Sequence, residues 1–252
     1  QLSNVKAHLY KQVLTSLRLH TSQQSIPLQL REQFDFAYIL YRKGLYKQAL
    51  KLLDKTKTTA IAYEEKIIAF EVLDLEKIIE SQYITRSSEN RADHLVRQTE
   101  ELSFLNLIAG KLSNLSLQLY NIFLKMGYAR TEEEAQQIRQ FFEENIPHYE
   151  YHQLSFREKL WLYQAYLWYN FITQDFLSCY RYASKWVDLF QQNSALIQVH
   201  PVFYLKGNHY LLESLFYLNN VDSFERVLTD FEENIQDKRI PRDENISALS
   251  FM

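Results

Sequence analysis

The sequence predicts an all-α chain, and three observations carry that prediction. Apolar residues recur at spacings of three and four along most of the length, the period of helices buried on one side. Only four Gly and four Pro occur in 252 residues, too few for the tight turns of a many-stranded β fold. Helix stops are followed closely by helix starts, which folds consecutive helices into antiparallel hairpins.

The first helical pattern runs from Leu2 to His20, with Leu2, Val5, Leu9, Val13 and Leu17 on one stripe and Lys6, Lys11 and Arg18 off it. It is amphipathic and needs a covering surface. Thr21 to Pro27 breaks the pattern. From Phe36 to Leu53, Ala37, Leu40 and Tyr41 share a stripe, Gly44 supplies a left-handed stop, and Tyr46, Ala49, Leu50 and Leu53 restart the pattern at once. Ala60 to Glu80 reads as a third long helix, apolar around much of its circumference. Ser81 to Arg91 is a polar loop.

Ala92 to Met126 is one helix of about 35 residues, or two joined at a kink near Gly110, because an interior glycine costs about 1 kcal/mol relative to alanine. A kink or a close helix contact is expected at that glycine. Gly127 stops the pattern. Thr131 and Glu134 then form a reciprocal capping pair for a short acidic helix that ends before Pro147. Ser155 and Glu158 open the next helix, Asp175 caps another carrying Phe176, Cys179, Ala183, Trp186 and Phe190, Pro201 begins a third, and Asp222 with Glu225 begins a fourth. Tyr128, Phe176 and Phe224 each follow a turn signal and stand 48 residues apart, which suggests a repeating hairpin and about five stacked hairpins in all.

Charge and composition narrow the partners. Lys and Arg total 28 against 31 Asp and Glu, a net charge of −3 with both signs mixed along the chain, so no dense basic face for nucleic acid is expected. No run of about 18 apolar residues suggests a membrane span. The single Cys179 cannot form an internal disulfide, and a reducing cytoplasm is the simplest setting. The chain opens on Gln1 rather than Met, and Pro241 to Met252 reads as the entry to a further helix. A fragment of a longer protein is therefore expected, with room for a removed signal peptide. An apolar face left bare at the C-terminal end would pair two chains in a homodimer.

Phe36, Ala37, Leu40, Gly44, Tyr46, Ala49 and Leu53 resemble the tetratricopeptide-repeat (TPR) helix-turn-helix signature over Gln33 to Thr56. Tyr163 to Trp186 is similar in part, through Tyr163, Tyr166, Leu167, Phe176, Cys179 and Ala183, with Gln174 where the turn glycine would stand. Leu211 to Asn234 is similar through Leu211, Leu215, Leu218, Phe224, Val227 and Phe231. The opening helix followed by a degenerate TPR-like hairpin also resembles a group of uncharacterised bacterial helical-repeat proteins. A TPR unit has about 34 residues, so these hairpins would be longer than usual. The resemblance implies a right-handed superhelix, or solenoid, of antiparallel hairpins over residues 1–252 as a single domain.

It further implies a concave groove lined by the first helix of each hairpin, holding a protein or peptide. The groove positions would be Arg31, Phe34, Tyr38 and Tyr41 in the first unit, Trp161, Gln164, Trp168 and Phe171 in the second, and His209, Leu212, Phe216 and Asn219 in the last. Tyr120 and Phe123 would lie between them. The expected contacts are Phe34, Tyr38, Tyr41, Trp161, Trp168, Phe171 and Phe216. Phe34 and Tyr38 stand where chaperone-binding TPR proteins present polar groups to a terminal carboxylate, which argues against an acidic C-terminus as ligand. Aromatics are also the ordinary filling between helices, so core packing and groove lining both remain open at these positions.

For chemistry the sequence offers little. It has no phosphate-binding glycine loop, nucleophile elbow or paired-cysteine motif. His148 and His152 flank Glu150, but Pro147 places them in a loop, which disfavours a metal site. Cys179 lies on an apolar stripe and reads as a buried thiol. The acidic groups at Glu132 to Glu134 and at Glu143 with Glu144 read as solvated, with a basic partner as the alternative. The expectation is a non-catalytic scaffold without a cofactor, binding protein or peptide but neither nucleic acid nor membrane. The alternative is a peptide-sensing regulator whose output domain lies outside this chain.

Overall fold

The computed structural model describes residues 2–21, 25–82 and 90–236, and it is helical throughout, with no strand among the described residues. The helices are α1 (Leu2–Thr21), α2 (Ile26–Arg42), α3 (Tyr46–Ala62), α4 (Lys66–Gln82), α5 (Arg91–Met126), α6 (Glu132–Asn145), α7 (Phe156–Ile172), α8 (Phe176–Gln192), α9 (Ala195–Val199), α10 (Pro201–Tyr217) and α11 (Val221–Gln236). Most of the polar loop expected at Ser81 to Arg91, part of the break at Thr21 to Pro27, and the further helix expected beyond Pro241 lie outside the described residues. So does the face expected to pair two chains. None of the described helices is long and apolar enough to cross a membrane.

The chain divides into two compact units, Gln1–Ser103 and Phe104–Met252. Each packs its helices neighbour against neighbour. In the first unit, Leu30 and Ala37 of α2, Ala49, Leu53 and Ala60 of α3, and Ile68, Val72 and Ile79 of α4 close a core to which Leu95 and Leu102 of α5 contribute. Arg31 pairs with Glu71 at 3.6 Å, and Tyr41 Oη hydrogen-bonds Gln82 further along both helices, so α2 and α4 run parallel. On the stripe of α1, Val5, Leu9 and Val13 are exposed.

Four hairpins turn by one device. Gly44, Glu64, Gln174 and Asn219 each adopt positive φ, between 53° and 76°. The next residue's N–H reaches back to the carbonyl five positions earlier, in Leu45 to Leu40, Glu65 to Ala60, Asp175 to Asn170 and Asn220 to Leu215. This closure satisfies the last carbonyls of the outgoing helix. Only one of the four turns uses glycine. The expected helix from Ala60 to Glu80 is therefore two helices, broken where Glu64 takes the left-handed conformation that sequence alone assigns to Gly or Asn. Ala49, Ala69 and Cys179 stand five residues after their turns and are fully buried, so the thiol occupies the place of a small packing residue. Cys179 Sγ lies 3.8 Å from the Leu167 carbonyl.

The 48-residue interval does not survive. The tight turns fall at 44, 64, 174 and 219, and Tyr128 opens an extended link instead, where Ala129 N–H donates to Ile172 O and Gln174 Nε2 to Ala129 O. The capping expectations fare better. Asp175 accepts from Ser178 N–H, Ser155 N–H donates to Glu158, and Thr131 accepts from Glu134 N–H. Glu134 closes on Arg130 N–H rather than on Thr131, and α11 is capped by Asn220 rather than Asp222.

The kink or close contact expected at Gly110 is not found there. α5 runs unbroken through Gly110, which is exposed, and a Cβ added there would meet nothing within 4 Å. Gly207 of α10 is the close contact, because a Cβ there would stand 2.8 Å from Trp186 Cδ1. The Trp186 indole is fully buried and donates to Phe203 O at 3.0 Å.

Candidate functional site

The second unit builds an aromatic face from three helices. Tyr120 and Phe123 of α5 lie with ring centroids 4.9 and 5.4 Å from Trp168 of α7. Trp168 meets Tyr210 of α10 at 5.7 Å, and Phe171 meets Tyr217 at 6.2 Å. Trp161 meets Phe203 at 5.4 Å, so these ring pairs follow one another in the same order along both helices, and α7 and α10 run parallel. Helices of like direction align here because α8 carries the chain back between them.

At the end of this row, Phe176 stacks on Tyr217 at 4.4 Å, and the Tyr217 and Tyr128 hydroxyls meet at 2.8 Å. Phe123 packs edge-on against Tyr128. These contacts fix a floor and a rim. Trp168 and Phe171 are buried and form the floor, while Tyr120 and Tyr217 are exposed at the rim and Phe216 is 73% exposed beside them. Offset and edge-on rings are favourable arrangements worth about 1 kcal/mol each beyond area burial.

One carboxylate belongs to the face. Glu213 lies on α10 between Tyr210 and Tyr217, and burial raises its carboxyl above the ordinary range, with His209 opposing the shift. His209 Nε2 is 3.8 Å from Glu213 Oε2. Burial likewise raises the Tyr128 and Tyr210 hydroxyls, and Glu213 contributes to both shifts, which puts its charge close to them.

The seven residues expected to contact a ligand divide by place. Trp168 and Phe171 are interior and offer little surface of their own. Trp161 is half-buried against Phe203, and Phe216 is open. In the first unit, Tyr38 is exposed, Phe34 and Tyr41 are half-buried, and the ring centroids of Tyr38 and Tyr41 lie 6.0 Å apart. The two aromatic sets belong to separate units. The opposite side of α7 holds a different aromatic set, in which Tyr166 stacks on Tyr182 at 4.4 Å and Phe142 on Tyr169 at 4.5 Å, filling the space among α6, α7 and α8.

Sequence reasoning missed two features. Lys57 of α3 and Glu76 of α4 are buried and paired at 2.6 Å, and Arg91 reaches the other Glu76 oxygen at 3.0 Å. Each falls in a helical pattern as an ordinary polar residue, and no spacing marks it as interior. Glu213 was hidden in the same way, among groove positions judged by their aromatic neighbours. A cavity of about 540 Å³ lies beside the end of α6, lined by Lys111, Gln118, Glu143, Glu144 and His148 among others. Its carboxylates face a lysine, and among the described residues no three His, Cys, Asp or Glu side chains converge to hold a metal. His152 pairs with Glu150 at 3.4 Å. Burial raises the Cys179 thiol, which leaves it a poor nucleophile.

No family model matches the sequence, and no match was found among curated proteins or solved structures.

Proposed function

We propose that this chain is a non-catalytic protein- or peptide-binding scaffold, a degenerate TPR-like solenoid of helical hairpins that receives its ligand on aromatic side chains. The observation that carries the reading is the face of α5, α7 and α10. Trp168 and Phe171 hold the rings of Tyr120 and Tyr217 in place while leaving them open to solvent. Rigid, partly exposed Tyr and Trp side chains offer contact area at low entropic cost, and such residues dominate binding hot spots. The shared hairpin turn and the parallel α2/α4 and α7/α10 pairs support stacking of the TPR type.

Within this reading Trp168 and Phe171 act as the floor, and Tyr120, Tyr217, Phe216 and Trp161 make contact. Phe34, Tyr38 and Tyr41 form a second contact set in the first unit. The test is a phage-displayed random peptide library panned on the wild-type chain and counter-selected on a Tyr120→Ala/Phe216→Ala variant of unchanged far-UV circular dichroism. Peptides retained by the wild type and lost by the variant support the reading. Equal recovery on both proteins, or no specific peptide, overturns it.

A further inference from the structure

The scaffold reading leaves the chemistry of the ligand open, and Glu213 narrows it. We infer that the aromatic face of α5, α7 and α10 receives a cationic side chain, the guanidinium or ammonium group of an Arg or Lys in the bound peptide, between Glu213 and the surrounding tyrosines. This rests on the proposed scaffold function and assigns its ligand class.

Four observations converge. Glu213 is flanked on its own helix by Tyr210, which packs on Trp168, and by Tyr217, which is hydroxyl-bonded to Tyr128. Its carboxylate receives no hydrogen bond among the described residues, and its ion-pair neighbour is His209 at 3.8 Å. That separation is near the limit of direct contact, and the histidine contributes charge only when protonated. The carboxyl is nevertheless partly withdrawn from water, at a cost to the fold that His209 offsets only in part. The rings beside it are electron-rich on their faces, so rings and carboxylate attract the same kind of group.

A cation answers all of these features at once. Arg fits best, because its planar fork can meet a carboxylate while its face lies on a tyrosine ring. An acidic peptide would place like charge against Glu213, and a purely apolar one would bury the carboxylate further without a partner.

The experiment starts from the peptides recovered through their dependence on the face. They should be enriched in Arg or Lys at one position. A synthetic copy of the strongest, titrated into the full chain, should bind about tenfold or more weakly to Glu213→Gln. Replacing its basic residue with citrulline should cause a similar loss, and the two losses should not add, since each removes the same pair. The melting temperature of Glu213→Gln should be unchanged or higher, which separates lost binding from lost folding. Face-dependent peptides without a basic residue, or full affinity in Glu213→Gln, overturn this inference and leave the scaffold standing. A library that yields no face-dependent peptide overturns both.

Discussion

The same substitution, glycine to alanine inside a helix, is expected to act in opposite directions at two places in the second unit. At Gly207 the new methyl would stand 2.8 Å from Trp186 Cδ1, 3.0 Å from Nε1 and 3.2 Å from Cγ. The indole cannot swing aside freely, because it is fully buried, donates to Phe203 O and packs on Tyr210. Overpacking of this kind costs about 1–3 kcal/mol, and losing the indole hydrogen bond would add about 1 kcal/mol. Helix propensity returns about 1 kcal/mol, so Gly207→Ala should destabilise by about 2 kcal/mol. At Gly110 the methyl meets nothing and only the propensity gain of about 1 kcal/mol remains. The three tryptophans, Trp161, Trp168 and Trp186, all lie in this unit, so urea unfolding followed by their fluorescence reports on it directly. Adding Trp186→Phe to Gly207→Ala should recover part of the loss by making room. A neutral or stabilising Gly207→Ala would refute the packing argument, and a destabilising Gly110→Ala would refute the claim that α5 needs no glycine there.

Other expectations follow from the turns and the buried charges. Gly44→Ala should cost about 1 kcal/mol and Glu64→Gly should gain a similar amount, less the Glu64–Lys66 ion pair, while Asn219→Gly should change little because Asn already tolerates positive φ; far-UV circular dichroism in urea measures all three. Lys57→Met should destabilise by about 3 kcal/mol because it leaves Glu76 buried against Arg91 alone, whereas Lys57→Met with Glu76→Leu should recover much of the loss. The raised Glu213 carboxyl means that the folded state holds this proton more tightly than the unfolded state does. Its contribution therefore favours folding below the unfolded pKa and is lost as pH rises through the folded value. Thermal melts at pH 5 and 8 should show Glu213→Gln gaining more over wild type at the higher pH.

Much of the helical layout was legible before the structure, because it rests on local signals. The apolar period marks the helices, Gly44 marks the first turn, and Ser155, Asp175 and Pro201 mark starts whose caps or first turns need those residue types. The turn at Glu64 was not legible, since its left-handed conformation is imposed by the packing of α3 on α4 and no residue type announces it. The regular interval through Tyr128, Phe176 and Phe224 was a coincidence of aromatics following turns of unlike geometry. Gly110 and Gly207 read alike in sequence, and only the position of Trp186 distinguishes them. Periodicity identifies a helix face without its depth, so the buried Trp168 and Phe171 could not be told from the exposed Tyr120 and Phe216. Lys57, Glu76 and Glu213 escaped notice because a charged residue in an amphipathic pattern ordinarily belongs to the solvated side.

The most direct test of the binding face is an NMR spectrum of the chain with isotope-labelled tyrosine rings, recorded with and without a saturating peptide selected from the library. The account predicts that the resonances of Tyr120, Tyr128 and Tyr217 shift on binding while those of Tyr149 and Tyr182, on the other side of α7, stay in place. Shifts confined to Tyr149 and Tyr182, with Tyr120 and Tyr217 unmoved, would contradict it.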